Sequence, residues 1–336
     1  MLNHLFMDDV PGHMDAAAPN PATSLPNRRR RWIRSIGAVV AIAIVLLGAR
    51  RTSSPTSLQS IRSSPETISP IDQPAARGPA PYAWLTKREA AKYVPLIERI
   101  PTPEGFSRIP APAGSFAAWL RNLPVAPEGT PVTTGKRKLV MSPGDSELAA
   151  VILLQPRTEK ALAGPNMLVR LRAEYCWATK RLADLGFHFT SGHLAAWGQW
   201  AEGRRPNVSG KTVAFAPMAE PDGSRESFCS YLETIFQYCS VYSVFDDTRA
   251  VEDGSIAPGD VFLRPGKNAC SLLVVDVATS ARGEVAVLLG DAGTPAQTFH
   301  LIQPPTGSAW FPIVQGDDLA ISAKRILRMR DLRRWK

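Results

Sequence analysis

The twenty-one residues from Ile256 to Asp276, IAPGDVFLRPGKNACSLLVVD, constrain the fold of this chain more than any other stretch. Pro258-Gly259-Asp260 is a turn signal and Val261 to Leu263 a short apolar strand. Arg264-Pro265-Gly266 breaks it, and Cys270 to Val275 is a run of strand formers ending at Asp276. The stretch predicts two buried strands joined by a tight glycine-containing turn. Asp260 and Asp276, at its two ends, are candidate binding residues.

Helices come earlier. Helical signs begin at Ala83, with Trp84, Leu85, Ala90, Ala91, Tyr93 and Val94 near helical spacing. Ser115 can cap a short helix through Trp119, Leu120 and Leu123, which Pro124 ends. Ala149 to Leu154 reads as a strand. Met167 to Leu185 reads as a helix with Leu168, Leu171, Tyr175 and Leu182 on one face, and Phe228 to Val241 as a second with Cys229, Leu232, Ile235, Phe236 and Cys239 in one stripe. Val261 to Leu263, Cys270 to Val275 and Val285 to Leu289 are strand-like, and the basic amphipathic run Leu319 to Trp335 reads as a closing helix end. Early helices and late adjacent strands predict an α+β fold, the helices packed on a mainly antiparallel sheet.

A formal charge of +9 over 336 residues raises the question of nucleic acid, so the position of the charge matters. Seven of the 39 basic residues lie between Arg28 and Arg51 and seven between Lys324 and Lys336. Between 52 and 323 the remaining 25 face 26 of the 30 acids. The body is close to neutral, which argues against a nucleic-acid face. The first cluster brackets an uncharged apolar run, Ile36 to Ala49. That run is short against the about 20 residues of a spanning helix, although Trp32 and snorkelling arginines can lengthen it. It reads as an uncleaved membrane anchor or a signal segment, with the arginine excess before it keeping the N-terminus in the cytoplasm. The expected organisation is a basic, polar tail over 1–31, the anchor or signal over 32–51, a Ser/Pro-rich linker over 52–82 and one α+β domain over 83–336. This places the domain outside the bacterial inner membrane, in the periplasm or beyond.

Chemical motifs are sparse. Cys176, Cys229, Cys239 and Cys270 show no metal-ligand spacing and are expected as packed free thiols, and no cofactor or metal is expected. His188 and His193 bracket Phe189-Thr190-Ser191-Gly192 without a carboxylate at ligand spacing. Ser209-Gly210-Lys211-Thr212 resembles the end of a phosphate loop, yet Arg205 stands where the early glycine is required. No G-x-S-x-G elbow occurs. Trp197, Trp200 and Arg204 combine aromatic and cationic character suited to a saccharide or peptide surface, the alternative being core filling.

Gly105-Phe106, Ser115-Phe116, Trp119 to Pro124, Arg170 to Tyr175, Phe189 to Gly192 with Trp197 and Trp200, Gly259 to Phe262, Val274 to Asp276 and Pro295 to Gln297 resemble, in this order, a bacterial family known as domain of unknown function 4846. The resemblance covers about residues 98 to 335. It implies a distant likeness to papain-like thiol hydrolases of the NlpC/P60 type, in which a helix-borne cysteine is activated by a strand-borne histidine. Family members usually carry Gln-Cys-Ala-Asp before the Arg-Leu-Arg-Ala-Glu-Tyr segment and Gly-His-Ala before the Val-Val-Asp strand. Here Ala163-Gly164-Pro165-Asn166 and Ala269-Cys270-Ser271 stand in those places, so both catalytic positions, Gly164 and Cys270, are vacated. Cys270 could serve as a relocated nucleophile only with a base, for which His193 and His300 are weak candidates. The resemblance therefore implies a catalytically inactive protein that binds peptidoglycan, other envelope material or an envelope protein. A hydrolase with a relocated thiol and a purely structural envelope protein are the alternatives.

Overall fold

A computed structural model describes residues 82–154, 164–252, 254–266, 269–293, 296–305, 307–314, 316, 318–322 and 325–336. All of them belong to the unit Glu66–Lys336; the expected tail and anchor and the expected linker up to residue 81 lie outside the described residues, and Tyr82, expected to end the linker, is buried and donates to Asn122 O. Among the described residues no helix is long and apolar enough to cross a membrane.

Nine strands make the central sheet: β1 (Phe106–Arg108), β2 (Leu148–Val151), β3 (Thr248–Ala250), β4 (Val261–Arg264), β5 (Cys270–Ser280), β6 (Val285–Asp291), β7 (His300–Ile302), β8 (Phe311–Ile313) and β9 (Leu332–Trp335). They lie in the order β3-β9-β4-β5-β6-β7-β2, with β8 paired to β6 and β1 to β5, and every pairing is antiparallel. The Ile256–Asp276 stretch is the middle of this sheet, with Val261 opposite Leu273 and Arg264 opposite Cys270. The expected α+β class holds, with sheet as the larger share.

Alternation sorts the side chains of the sheet into two cores. Leu273, Leu288 and Leu301 pack with the helices on one face, whereas Phe262, Cys270, Leu272, Leu289 and Ile302 join Leu319, Ile321 and Leu327 on the other. A bulge between Val274 and Asp276 resets the alternation, so Val274 and Val277 both enter the far core. The helix face is covered by α1 (Phe116–Arg121), α2 (Gly164–Ala178), α3 (Trp197–Ala201), α4 (Arg225–Tyr238) and α5 (Val241–Asp246), of which α1 and α2 touch β5 directly. Ser115 caps α1 as expected, its Oγ accepting from Ala118 N at 3.1 Å.

Three sequence expectations are corrected. The helix expected to reach Leu185 ends at Ala178, because Lys180 takes a left-handed backbone (φ 60°) and Arg181 N turns back to Cys176 O. The helix expected to reach Val241 stops at Tyr238, because Ser240 caps a new helix, α5, leaving Cys239 between the two. Leu319 to Trp335 forms a hairpin (Leu319–Ser322, Arg325–Leu327), a single 3-10 turn and β9 in place of a helix. There Leu319 and Ile321 follow a two-residue period into the far core, while Arg325 and Arg334 find carboxylates on the sheet.

Candidate functional site

The N-terminus of α2 abuts β5. Gly164 opens the helix and is buried, and a methyl group built on it would collide with Ser271 Oγ while lying 3.9 Å from Gly293 O. Gly293 has a positive φ of 58°, and the side-chain amide of Gln297 lies over the space a Cβ would take there. Helix terminus, serine hydroxyl and carboxamide thus converge around one short stretch of backbone. They can exchange hydrogen bonds with a polar ligand, but neither Gly164 nor Ser271 offers a thiolate or an imidazole.

The side chain facing Gly164 is Ser271, not Cys270. Successive strand residues point to opposite faces, so one step along β5 carries Cys270 into the far core, with its Sγ 3.9 Å from Phe262 O. The two positions that the family resemblance pairs, Gly164 and Cys270, therefore do not face each other. Three neighbouring strands instead bring Cys270, Asp291 and His300 to one end of the far face. Asp291 and His300 are paired across β6 and β7. Arg325, from the Leu319–Leu327 hairpin, forms an ion pair with Asp291, and its charge also acts on Cys270. His300 Nδ1 lies 2.8 Å from Thr298 O; since a carbonyl only accepts, that nitrogen carries the proton. Burial holds His300 below the usual imidazole range. The same burial pushes the Cys270 thiol up, with Arg325 and Arg264 opposing it without reversing it. For Asp291 burial pulls upward, but Arg325 and the Gly293 amide outweigh it and leave the carboxyl depressed. A thiol kept protonated is a poor nucleophile at neutral pH, and the Arg325 guanidinium, which only donates, cannot take the proton from it.

The remaining sequence candidates hold the fold. Trp197 and Trp200 are 3% and 7% exposed. Trp197 meets Trp177, Phe228 and Tyr231 edge to face, and Trp200 donates from Nε1 to Ser227 Oγ at 3.1 Å. Arg205 stacks over Trp200 at 3.9 Å, while Arg204, which opens the strand Arg204–Ser209, is exposed. As a binding surface this trio loses its aromatic part. Asp276 is fully buried and takes Arg108 Nε at 2.7 Å and Arg121 Nε at 2.9 Å, so it fastens β1 and α1 to β5. Asp260 takes both arms of Arg334 at 2.7 Å and Ala257 N at 2.8 Å, fixing the turn before β4 to β9. His193 sits in the turn between Gly186–His188 and Leu194–Ala196, exchanging a 3.1 Å contact with Ser191. The phosphate-loop likeness is the turn between Arg204–Ser209 and Thr212–Pro217.

Sequence reading missed Ser271, Asp291, Gln297 and Arg325, and a further pair, His188 with Asp247. The Asp247 carboxylate holds both the imidazole and the backbone N–H of His188. Strand parity was the available signal for Ser271, since Leu273 and Val275 share its face. None of the four cysteines is in a disulfide, and among the described residues no group of three or more His, Cys, Asp or Glu has metal-binding geometry.

A family model described as Domain of unknown function (4846) matches residues 96–334. No curated protein and no solved structure matches the chain.

Proposed function

The chain belongs to this family of unknown function, and from that premise we propose that it is a catalytically inactive relative of papain-like thiol hydrolases that binds envelope material or a partner protein. Its N-terminal apolar run would hold it at the bacterial inner membrane with the domain outside the cytoplasm. One observation carries the reading. The place where such an enzyme sets its cysteine, the first turn of a helix packed on a central antiparallel strand, is occupied by Gly164, and the facing strand residue is Ser271. The hydroxyl and the neighbouring Gln297 amide retain polar recognition there without nucleophilic power.

A second reading is favoured by the grouping of Cys270, Asp291, His300 and Arg325, which could support a relocated thiol hydrolase. Incubating the full chain with peptidoglycan and with peptides separates the two. The inactive reading expects no turnover and no response to thiol alkylation. Turnover by the natural chain that disappears in Cys270→Ala would sink it and establish the second reading.

A further inference from the structure

A hairpin pairs Val132–Thr133 with Leu139–Met141, and its tip carries three consecutive exposed cations, Lys136, Arg137 and Lys138. Leu139 and Val140 follow, 55% and 39% exposed; among the described residues they are the one pair of consecutive large apolar side chains so exposed. The tip is closed tightly. Arg137 N donates to Thr134 O at 2.8 Å, Thr134 N to Lys138 O at 2.9 Å and Lys138 N to Thr134 Oγ1 at 3.2 Å. Arg137 itself has a left-handed backbone, φ 59°, at a position where such turns ordinarily use glycine. An arginine in that strained place puts a charge at the apex that a glycine would not supply.

The root of the hairpin is firm. Val132 is buried with Ala126 and Val151, and Met141, Leu148 and Leu153 pack around them. Trp84 Nε1 donates to Leu153 O at 2.7 Å, so the chain enters the described domain beside this root. The described chain thus begins, at Tyr82, close to this root.

We propose that this hairpin docks on an anionic lipid surface, Lys136, Arg137 and Lys138 against headgroups and Leu139 and Val140 in the interface. A basic stripe next to exposed aliphatic side chains is the composition that gains from both halves of such an interface. An acidic polymer would engage the cations and leave Leu139 and Val140 in water, and a second copy would bring like charges together. The chemistry of the hairpin stands independently of the enzymatic or inactive status of the domain.

The test uses the full chain carrying Val140→Cys with Cys239→Ser, labelled with an environment-sensitive dye. It is mixed with phosphatidylcholine vesicles or with phosphatidylglycerol-rich vesicles, each containing a spin-labelled quencher lipid. The expected result is blue-shifted, quenched emission in the anionic vesicles only. Lys136→Gln, Arg137→Gln and Lys138→Gln together weaken it by about a hundredfold, on the order of fivefold per cation, with the melting transition unchanged. Equal quenching in both lipids, no quenching in either, or quenching untouched by the triple variant overturns the proposal. A larger shift with heparin than with vesicles gives the tip to an acidic polymer and overturns it too. Flotation of the unlabelled chain with phosphatidylcholine vesicles reads the anchor separately, so failure of either idea is recognisable.

Discussion

The two faces of the central sheet present opposite solutions to burying polar groups at the same end of β5. On the helix face, Gly164 and Ser271 meet with almost no side-chain chemistry between them, and the burden of charge moves along the strand to Asp276, which binds two arginines. On the far face, Cys270, Asp291 and His300 bring three titratable groups together under Arg325. Close backbone approach governs the first face and charge neutralisation the second. Burial pushes the Cys270 thiol up on the far face, and on the helix face Gly164 brings no side chain at all.

Asp276→Ala strikes this comparison hardest. It leaves Arg108 and Arg121 buried beside an empty site, and breaking such a pair costs about 3–5 kcal/mol. Urea unfolding of the variant should show a lower midpoint with an unchanged slope, and a shift within the noise would mean that water, not Asp276, satisfies the two guanidinium groups.

Gly164→Ala should cost about 1–3 kcal/mol through overpacking against Ser271. Most of that is expected to return in the Ser271→Ala background and none in the Cys270→Ala background. If the glycine variant costs the same in all three backgrounds, the two faces are not distinguished in the way the contacts require.

Acid should act more gently, and on the far face. His300 has a folded pKa below its unfolded value of about 6.5, so its contribution is present above that pH and is lost as pH falls through the folded value. Asp291 is likewise depressed, below an unfolded value of about 3.9, and gives a second loss at lower pH. Stability measured against pH should therefore decline in two windows. His300→Gln should flatten the upper one and spare the lower. A wild-type profile that rises between pH 7 and 5 would refute the assignment.

Much of the scaffold was legible because local signals and tertiary packing agree there. Ser115 caps its helix, although that helix stops at Arg121, short of Pro124, and Val261 to Leu263, Cys270 to Val275 and Val285 to Leu289 are strands at the heart of the sheet. Legibility failed where two periods fit the same letters. Leu319 to Trp335 suits a basic amphipathic helix until Asp291 and Asp260 are seen to hold its arginines, and Leu182 prolongs a helical stripe past the point where Lys180 turns the chain. Trp197 and Trp200 beside Arg204 and Arg205 look like a binding surface in sequence because composition carries no record of burial. The pairing of Arg205 with the face of Trp200 is a packing outcome.

The Ile256–Asp276 stretch shows where the division lies. Its residue types alone determined two buried strands and a glycine turn, since β propensity and turn chemistry are local. Which of Cys270 and Ser271 meets Gly164 was decided only by the tertiary structure. Strand side chains alternate, so a single residue of register, invisible to composition, moves a thiol from one side of the sheet to the other.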